Sequence, residues 1–207
     1  MEKSEKITGI ILTGGRAIRM GGVDKGLVLL QNQPLIQHVI CRLKPQVDEI
    51  IINANRELAQ YQSLGFTVLS DDIASIKEAF AGPLAGIQLG LTYSNYDYVL
   101  TVPCDSPHLP TDIAARLMQG LVDNKAEVVV ASSDGSAHPV FCLCKKTALA
   151  SLNAYLAQGG RKVSIWQKSL AYAEVDFTDC SSAFINLNTL TEVSTLELKL
   201  KSEHGHA

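Results

Sequence analysis

A chain of 207 residues that is 46% hydrophobic and 19% charged carries enough apolar material for one sizeable core and argues against a second independent domain. A formal net charge of −3 excludes a surface built throughout for nucleic acid, because such binding neutralises many phosphates with Lys and Arg. Any cationic site has to be local.

Taken in chain order, apolar runs rich in β-branched residues alternate with segments of helical period. This is the pattern of βα units around a mainly parallel sheet. A strand is predicted over 7–13 (ITGIILT), followed by a glycine-rich stretch and a helix over 34–44. A strand over 48–53, a helix over 56–63, a strand over 66–70 and a helix over 84–93 come next, and then a strand over 97–102 and a helix over 111–122. The second half reads as strands over 127–132 and 139–144, helices over 145–158 and 162–168, a strand over 171–175 and a last helix over 191–200. Several strands are continuous Ile/Val/Leu runs rather than alternations, as expected when helices cover both faces. The end, 201–207, reads as a frayed tail, and His204 and His206 in it as solvated rather than metal-binding. The single domain therefore divides into halves at 1–110 and 111–200.

Five cysteines, Cys41, Cys104, Cys142, Cys144 and Cys180, form no CxxC pair and suit reduced thiols in a cytosol. Cys142 and Cys144, two apart on an apolar strand, are expected to pack on one face as small hydrophobes rather than join His138 as metal ligands. The apolar run after Lys3 and Lys6 is short and ends in Thr-Gly-Gly, so no signal peptide is read, and no run is long enough to span a membrane.

The stretch LTGGRAIRMGGVDKGLV, residues 12 to 28, follows the first strand. It is not a P-loop, since G-x-x-x-x-G-K-[ST] is absent, and its glycines do not fall at the G-x-G-x-x-G spacing of the dinucleotide fold. What it offers is backbone N–H groups freed by glycine to close on an anion, with Arg16, Arg19 and Lys25 adding charge, which is chemistry suited to a polyphosphate. Two further features converge on the same region. VLTVPCDSP delivers Asp105 just past a strand end, between Pro103 and Pro107. VLSDD places Asp71 and Asp72 past another, followed by GPLAG, where Gly82 and Pro83 open a helix. Ligands of open α/β sheets sit beyond strand ends, and carboxylates beside a cationic loop suit a divalent cation bridging to phosphate oxygens.

The combination of LTGGRAIRMGGVDKGL, VPCDSP and GPLAG, in this order and distance, resembles the molybdenum cofactor guanylyltransferases, the MobA family. The likeness continues through QPLIQHV, IIINAN, HPVFCL, GGRKVSIW and FINLNT, and so covers most of the chain. It implies a single α/β, Rossmann-like nucleotidyltransferase domain with a mostly parallel sheet flanked by helices, the first half binding nucleotide and the second the acceptor. It also implies a cytoplasmic, monomeric enzyme that transfers GMP from GTP to Mo-molybdopterin with Mg²⁺, in contact with proteins that donate and receive the cofactor.

By the same resemblance Leu12, Thr13 and Gly14 lie against the nucleotide, Gly15 closes the turn, Lys25 holds phosphates, and Asn53 and Asp71 are GTP contacts. Guanine's Watson–Crick edge presents N–H donors, which an amide or carboxylate oxygen can accept. Asp105 matches the metal ligand, and Arg19 an arginine acting on charge at the reacting phosphate. Arg161, Lys162, Asn186 and Asn188 match positions expected to meet the acceptor. The chain departs from the pattern at Thr13, where alanine is commoner, in the segment IASIKEAFA, and at Leu190, where a proline often stands. The alternatives are the same chemistry with CTP or a sugar phosphate, and a non-catalytic nucleotide-binding carrier.

Overall fold

The fold was read from a computed structural model, which describes residues 5–13, 24–71 and 82–204. Gly14, Gly15, Arg16, Arg19 and Asp72 lie outside the described residues.

Strand β1 (Ile7–Leu12) is buried at every position, because it is an interior strand of a sheet covered on both faces. It pairs in parallel with β4 (Glu49–Asn53) on one side and β6 (Tyr98–Pro103) on the other. A small antiparallel pair, β2 (Leu29–Leu30) and β3 (Gln33–Pro34), lies apart from this sheet. β5 (Thr67–Leu69) extends the sheet beside β4. In the second half, β7 (Val128–Ser133), β8 (Ser136–Lys145) and β9 (Tyr172–Asp176) complete the order β5-β4-β1-β6-β8-β7-β9. Between β1 and β6 the chain reverses its direction of travel across the sheet, so their carboxyl ends border the crevice where such folds bind ligands.

β8 is the exception in direction, antiparallel to both β6 and β7. It returns from β7 through Asp134 and Gly135, with φ of 50° and 76°, the left-handed pair that a tight hairpin requires. The β7–β8 register shifts from Val130↔Cys142 to Ala131↔His138, and Pro139 in the skipped segment has no N–H to give to a ladder.

Helices cover both faces. α1 (Leu35–Leu43) buries Leu35, Ile36, Val39, Ile40 and Leu43, a stripe at helical spacing, and packs with α4 (Ile113–Asp123) over Ile7, Ile11, Ile52 and Val102. α3 (Pro83–Tyr93), α5 (Leu149–Ala157) and α6 (Val163–Gln167) cover the opposite face around Ile10, Leu12, Val99 and Trp166. Each fully buried Leu or Ile contributes about 1.5–3 kcal/mol relative to exposure. α2 (Leu58–Gln62) carries the fully buried Tyr61. Cys142 and Cys144 pack in the α3/α5 layer with their sulfurs 3.8 Å apart. Among the described residues no helix is long and apolar enough to cross a membrane.

Three sequence expectations are corrected. β8 begins at Ser136 rather than 139, because the tight hairpin carries pairing up to its tip. The helix expected over 145–158 is a 3₁₀ turn, Lys146–Ala148, followed by α5. The last helix, α7 (Leu190–His204), runs into the stretch expected as a frayed tail. It starts from a capping box in which Glu192 accepts from the Thr189 N–H at 2.8 Å while its own N–H donates to the Thr189 hydroxyl at 3.2 Å. Val193, Leu196 and Leu200 then dock on Val28, Leu30 and Leu35, which carries the helix onward.

Candidate active site

The site begins where three parallel strands end together. The Thr13 N–H and hydroxyl both donate to the Asn53 carbonyl, at 3.0 and 2.8 Å, and the Cys104 N–H donates to the Leu12 carbonyl at 3.1 Å. Leu12 and Thr13, both buried, are thereby fixed between the ends of β4 and β6, at the point from which the glycine stretch departs.

Lys25 lies in a 3₁₀ turn, Lys25–Leu27, whose cap is Asp24. The Asp24 carboxylate accepts the Gly26 N–H at 3.2 Å and the hydroxyl of Tyr61, which reaches up from α2. Gly26 fits against this support only because it lacks a Cβ: one added there would stand 2.6 Å from the Tyr61 hydroxyl and 3.3 Å from Cys104. Burial, reinforced by the neighbouring Cys104 and Asp24, pushes the Tyr61 phenol far above its ordinary range, so it stays a donor. Burial and the Asp105 and Asp24 carboxylates likewise raise the Cys104 thiol, which removes it as a nucleophile.

From that turn the Lys25 ammonium forms an ion pair with Asp105 and donates to the Asn188 amide oxygen at 2.7 Å. Asp105, whose side chain is only 5% exposed, is held from behind: the Leu187 N–H donates to its backbone carbonyl at 3.2 Å. Next to it, the Ser106 hydroxyl donates to the Asn186 amide oxygen at 3.0 Å. Asn188 is oriented in turn by Glu192, which accepts its N–H at 2.6 Å. The structure thus brings Lys25 and Asp105 from the first half together with Asn186 and Asn188 from the second.

Asn53 and Asp71 form the far wall. Asn53 donates to Asp71 at 2.8 Å, and Asn55 donates to the other carboxylate oxygen at 2.7 Å and accepts the Asp71 N–H at 2.8 Å. The Asn53 amide oxygen lies against Gly86 of α3, where an added Cβ would be only 2.6 Å away. Each Asp71 oxygen takes one amide proton, and a carboxylate oxygen can accept more than one.

Arg161 and Lys162 occupy a different place, the junction between α5 and α6. Arg161 donates to the carbonyls of Leu156 and Gly160 at 3.3 and 2.8 Å, and the Lys162 backbone engages the Tyr155 hydroxyl. Asp24, Tyr61 and Ser106 were missed by sequence reasoning as site-building residues. The VDKG turn held a signal for Asp24; Tyr61 meets it only through space.

Among the described residues no cluster of three His, Cys, Asp or Glu side chains could hold a metal. The single nearly buried carboxylate at the strand end suits instead a cation of the Mg²⁺ kind, which takes one or two protein carboxylates and completes its shell with phosphates and water.

A family model described as the MobA-like NTP transferase domain matches residues 9–171. A molybdenum cofactor guanylyltransferase of Cupriavidus necator is 48% identical over 200 residues, covering 94% of this chain and 98% of that protein. Another, from Shewanella putrefaciens, is 46% identical over 186 residues, 90% of this chain and 93% of that one. Among solved structures, molybdopterin-guanine dinucleotide biosynthesis protein A of Archaeoglobus fulgidus has the same fold, with a TM-score of 0.75 at 19% identity over 94% of this chain and 99% of that one.

Proposed function

The chain belongs to the MobA-like NTP transferase family, and on that premise we propose that it transfers GMP from GTP to the terminal phosphate of Mo-molybdopterin. An oxygen of the acceptor phosphate forms a bond to the α-phosphorus of GTP, and the bond from that phosphorus to the bridging oxygen breaks. Pyrophosphate leaves with the electron pair. The observation that carries this reading is the meeting of Lys25, Asp105 and Asn188 at the carboxyl ends of β1 and β6, with both halves of the chain contributing. The 48% identity to a guanylyltransferase supports the choice of nucleotide, as does the Asp71 carboxylate, an acceptor that Asn53 and Asn55 hold at the strand end.

Both reactants are anions, so lowering their repulsion is the main task and no protein nucleophile is required. Lys25 exchanges its contacts with Asp105 and Asn188 for phosphate oxygens, and Arg19 acts on charge developing at the α-phosphate. Asn188, released from Lys25, and Asn186 orient the acceptor. Asp105 would hold Mg²⁺, which when bound offsets phosphate charge as a Lewis acid. Arg161 and Lys162 are assigned to the acceptor side on the family pattern alone. The reduced thiols suit a cytoplasmic enzyme.

Pyrophosphate release measured with GTP, CTP and ATP, each with and without molybdopterin, tests this reading. Release is expected with GTP and molybdopterin together, and Asp105→Ala should abolish it while leaving the far-UV circular dichroism unchanged. Equal turnover of CTP would overturn the nucleotide assignment, and near-normal release by Asp105→Ala would make that residue structural.

A further inference from the structure

On the opposite side of β6 from the Asn53/Asp71 wall lies a cavity of about 370 Å³, between the β7–β8 hairpin and the 3₁₀ segment Thr178–Phe184. Its volume is at the lower end of the range for small-molecule sites. We infer that this cavity seats the fused, nitrogen-rich ring system of the acceptor, a pterin, while the acceptor's phosphate reaches Lys25 and Asp105. The inference rests on the guanylyl-transfer reading and adds to it the place of the heterocycle.

Position is the first argument. β8 pairs antiparallel with β6 as Leu100↔Leu143 and Thr101↔Cys142, so the hairpin end of β8, which carries His138, lies toward the carboxyl end of β6, just past which stands Asp105. The opposite wall is tied to the same point: Ile185 lines the cavity, Asn186 after it accepts from Ser106, and the Leu187 N–H binds the Asp105 carbonyl. One short run of backbone thus passes from the cavity to the Lys25–Asp105 pair.

The walls give the chemistry. His138 lies flat on Phe184, with ring centroids 4.7 Å apart and planes at 8°, and Phe141 and Phe177 meet Phe184 edge-on, so this side is rigid and aromatic. Ile185 is 63% exposed at the rim, an apolar surface that a flat ring would cover. Ser133, whose hydroxyl is 2.7 Å from His138 Nε2, and Asp134 supply the polar side. Asp134 is fixed by its left-handed turn and by its N–H donating to Thr178 at 3.0 Å. A carboxylate held beside an aromatic wall matches the adjacent N–H donors of a 2-amino-4-oxopyrimidine edge. Among the described residues no lysine or arginine lines the cavity, which suits a ring better than a phosphate.

The test uses 6-hydroxymethylpterin as probe, titrated by its fluorescence against the intact chain and against Asp134→Asn and Ile185→Ser. Asn tolerates the left-handed turn, so the first variant removes charge without breaking the hairpin. Pterin affinity should fall about tenfold or more in Asp134→Asn, the loss expected of one charged hydrogen bond, and more modestly in Ile185→Ser, while GTP titrates alike in all three. Equal pterin affinity in the unaltered chain and both variants, or absence of pterin binding while molybdopterin-dependent pyrophosphate release proceeds, would overturn the assignment. Failure of the unaltered chain to release pyrophosphate from GTP and molybdopterin would instead strike the guanylyl-transfer reading. Pterin binding that Asp134→Asn weakens would then still support the cavity.

Discussion

Lys25 waits for its ligand already engaged, its ammonium shared between a carboxylate and an amide oxygen. If Lys25 takes the phosphates as proposed, a triphosphate must displace these contacts, and part of its binding energy would go into the exchange. Lys25→Ala should chiefly raise the KM for GTP, whereas Arg19→Ala should lower kcat about a hundredfold with a smaller change in KM, the pattern of a contact made in the transition state. Steady-state kinetics of the two variants decide it, and the reverse assignment would defeat the division of labour. Tyr61 acts one step further back. Tyr61→Phe deletes the hydroxyl that Asp24 accepts and leaves the ring packed, so stability to urea should drop by about 1–2 kcal/mol. Because Asp24 also caps the Lys25 turn, the KM for GTP should rise with little change in kcat. Asp24→Asn keeps an oxygen that can accept from both donors, so it should retain most of the stability and leave the KM for GTP nearly unchanged.

Among the elements, α3 shows how packing and site are joined. Gly86 lets the helix approach Leu12 and Asn53 so closely that an added methyl would meet both, while Gly120 in α4 is closed off by Val175, away from the site. Gly86→Ala and Gly120→Ala should each destabilise the fold by about 1–3 kcal/mol, the usual cost of overpacking, as read by urea titration. Only Gly86→Ala should also weaken GTP binding in calorimetry, since only it displaces Asn53. The central strands were legible because β1, β4 and β6 are continuous apolar runs bounded by polar residues, and α1 because its five buried residues repeat at helical spacing. The direction of β8 and its place between β6 and β7 were not, because local periodicity carries no information about neighbours. Asp134-Gly135 held a readable hairpin signal that went unused. At the site, Asp105 is legible from its place just past a strand and Lys25 as a cation of the glycine-rich stretch, but the support from Tyr61 and the ties of Asn188 to Lys25 are through-space relations between distant segments.

Across the whole molecule, the two halves expected on either side of residue 110 are built into one architecture. β8 belongs to the second half yet hydrogen-bonds to β6 of the first, and the core beneath α1 and α4 runs without interruption from Ile7 to Phe184. Unfolding should therefore be one cooperative event. The fluorescence of Trp166, the single tryptophan and a second-half residue, should follow the same urea transition as far-UV circular dichroism. Two separated midpoints would show the halves to be independent. The order of the sheet also bears on synthesis. On the ribosome β6 is made well before β8, so the strand that leads into Asp105 emerges with one edge unpaired until residue 145 has followed it out. Leu187 and Asn188, which brace Asp105 and Lys25, come later still. A nascent chain therefore has the ends of β1, β4 and β6 in place before the brace behind Asp105 and Lys25 is made, and a product that stops short of Leu187 would lack both ties.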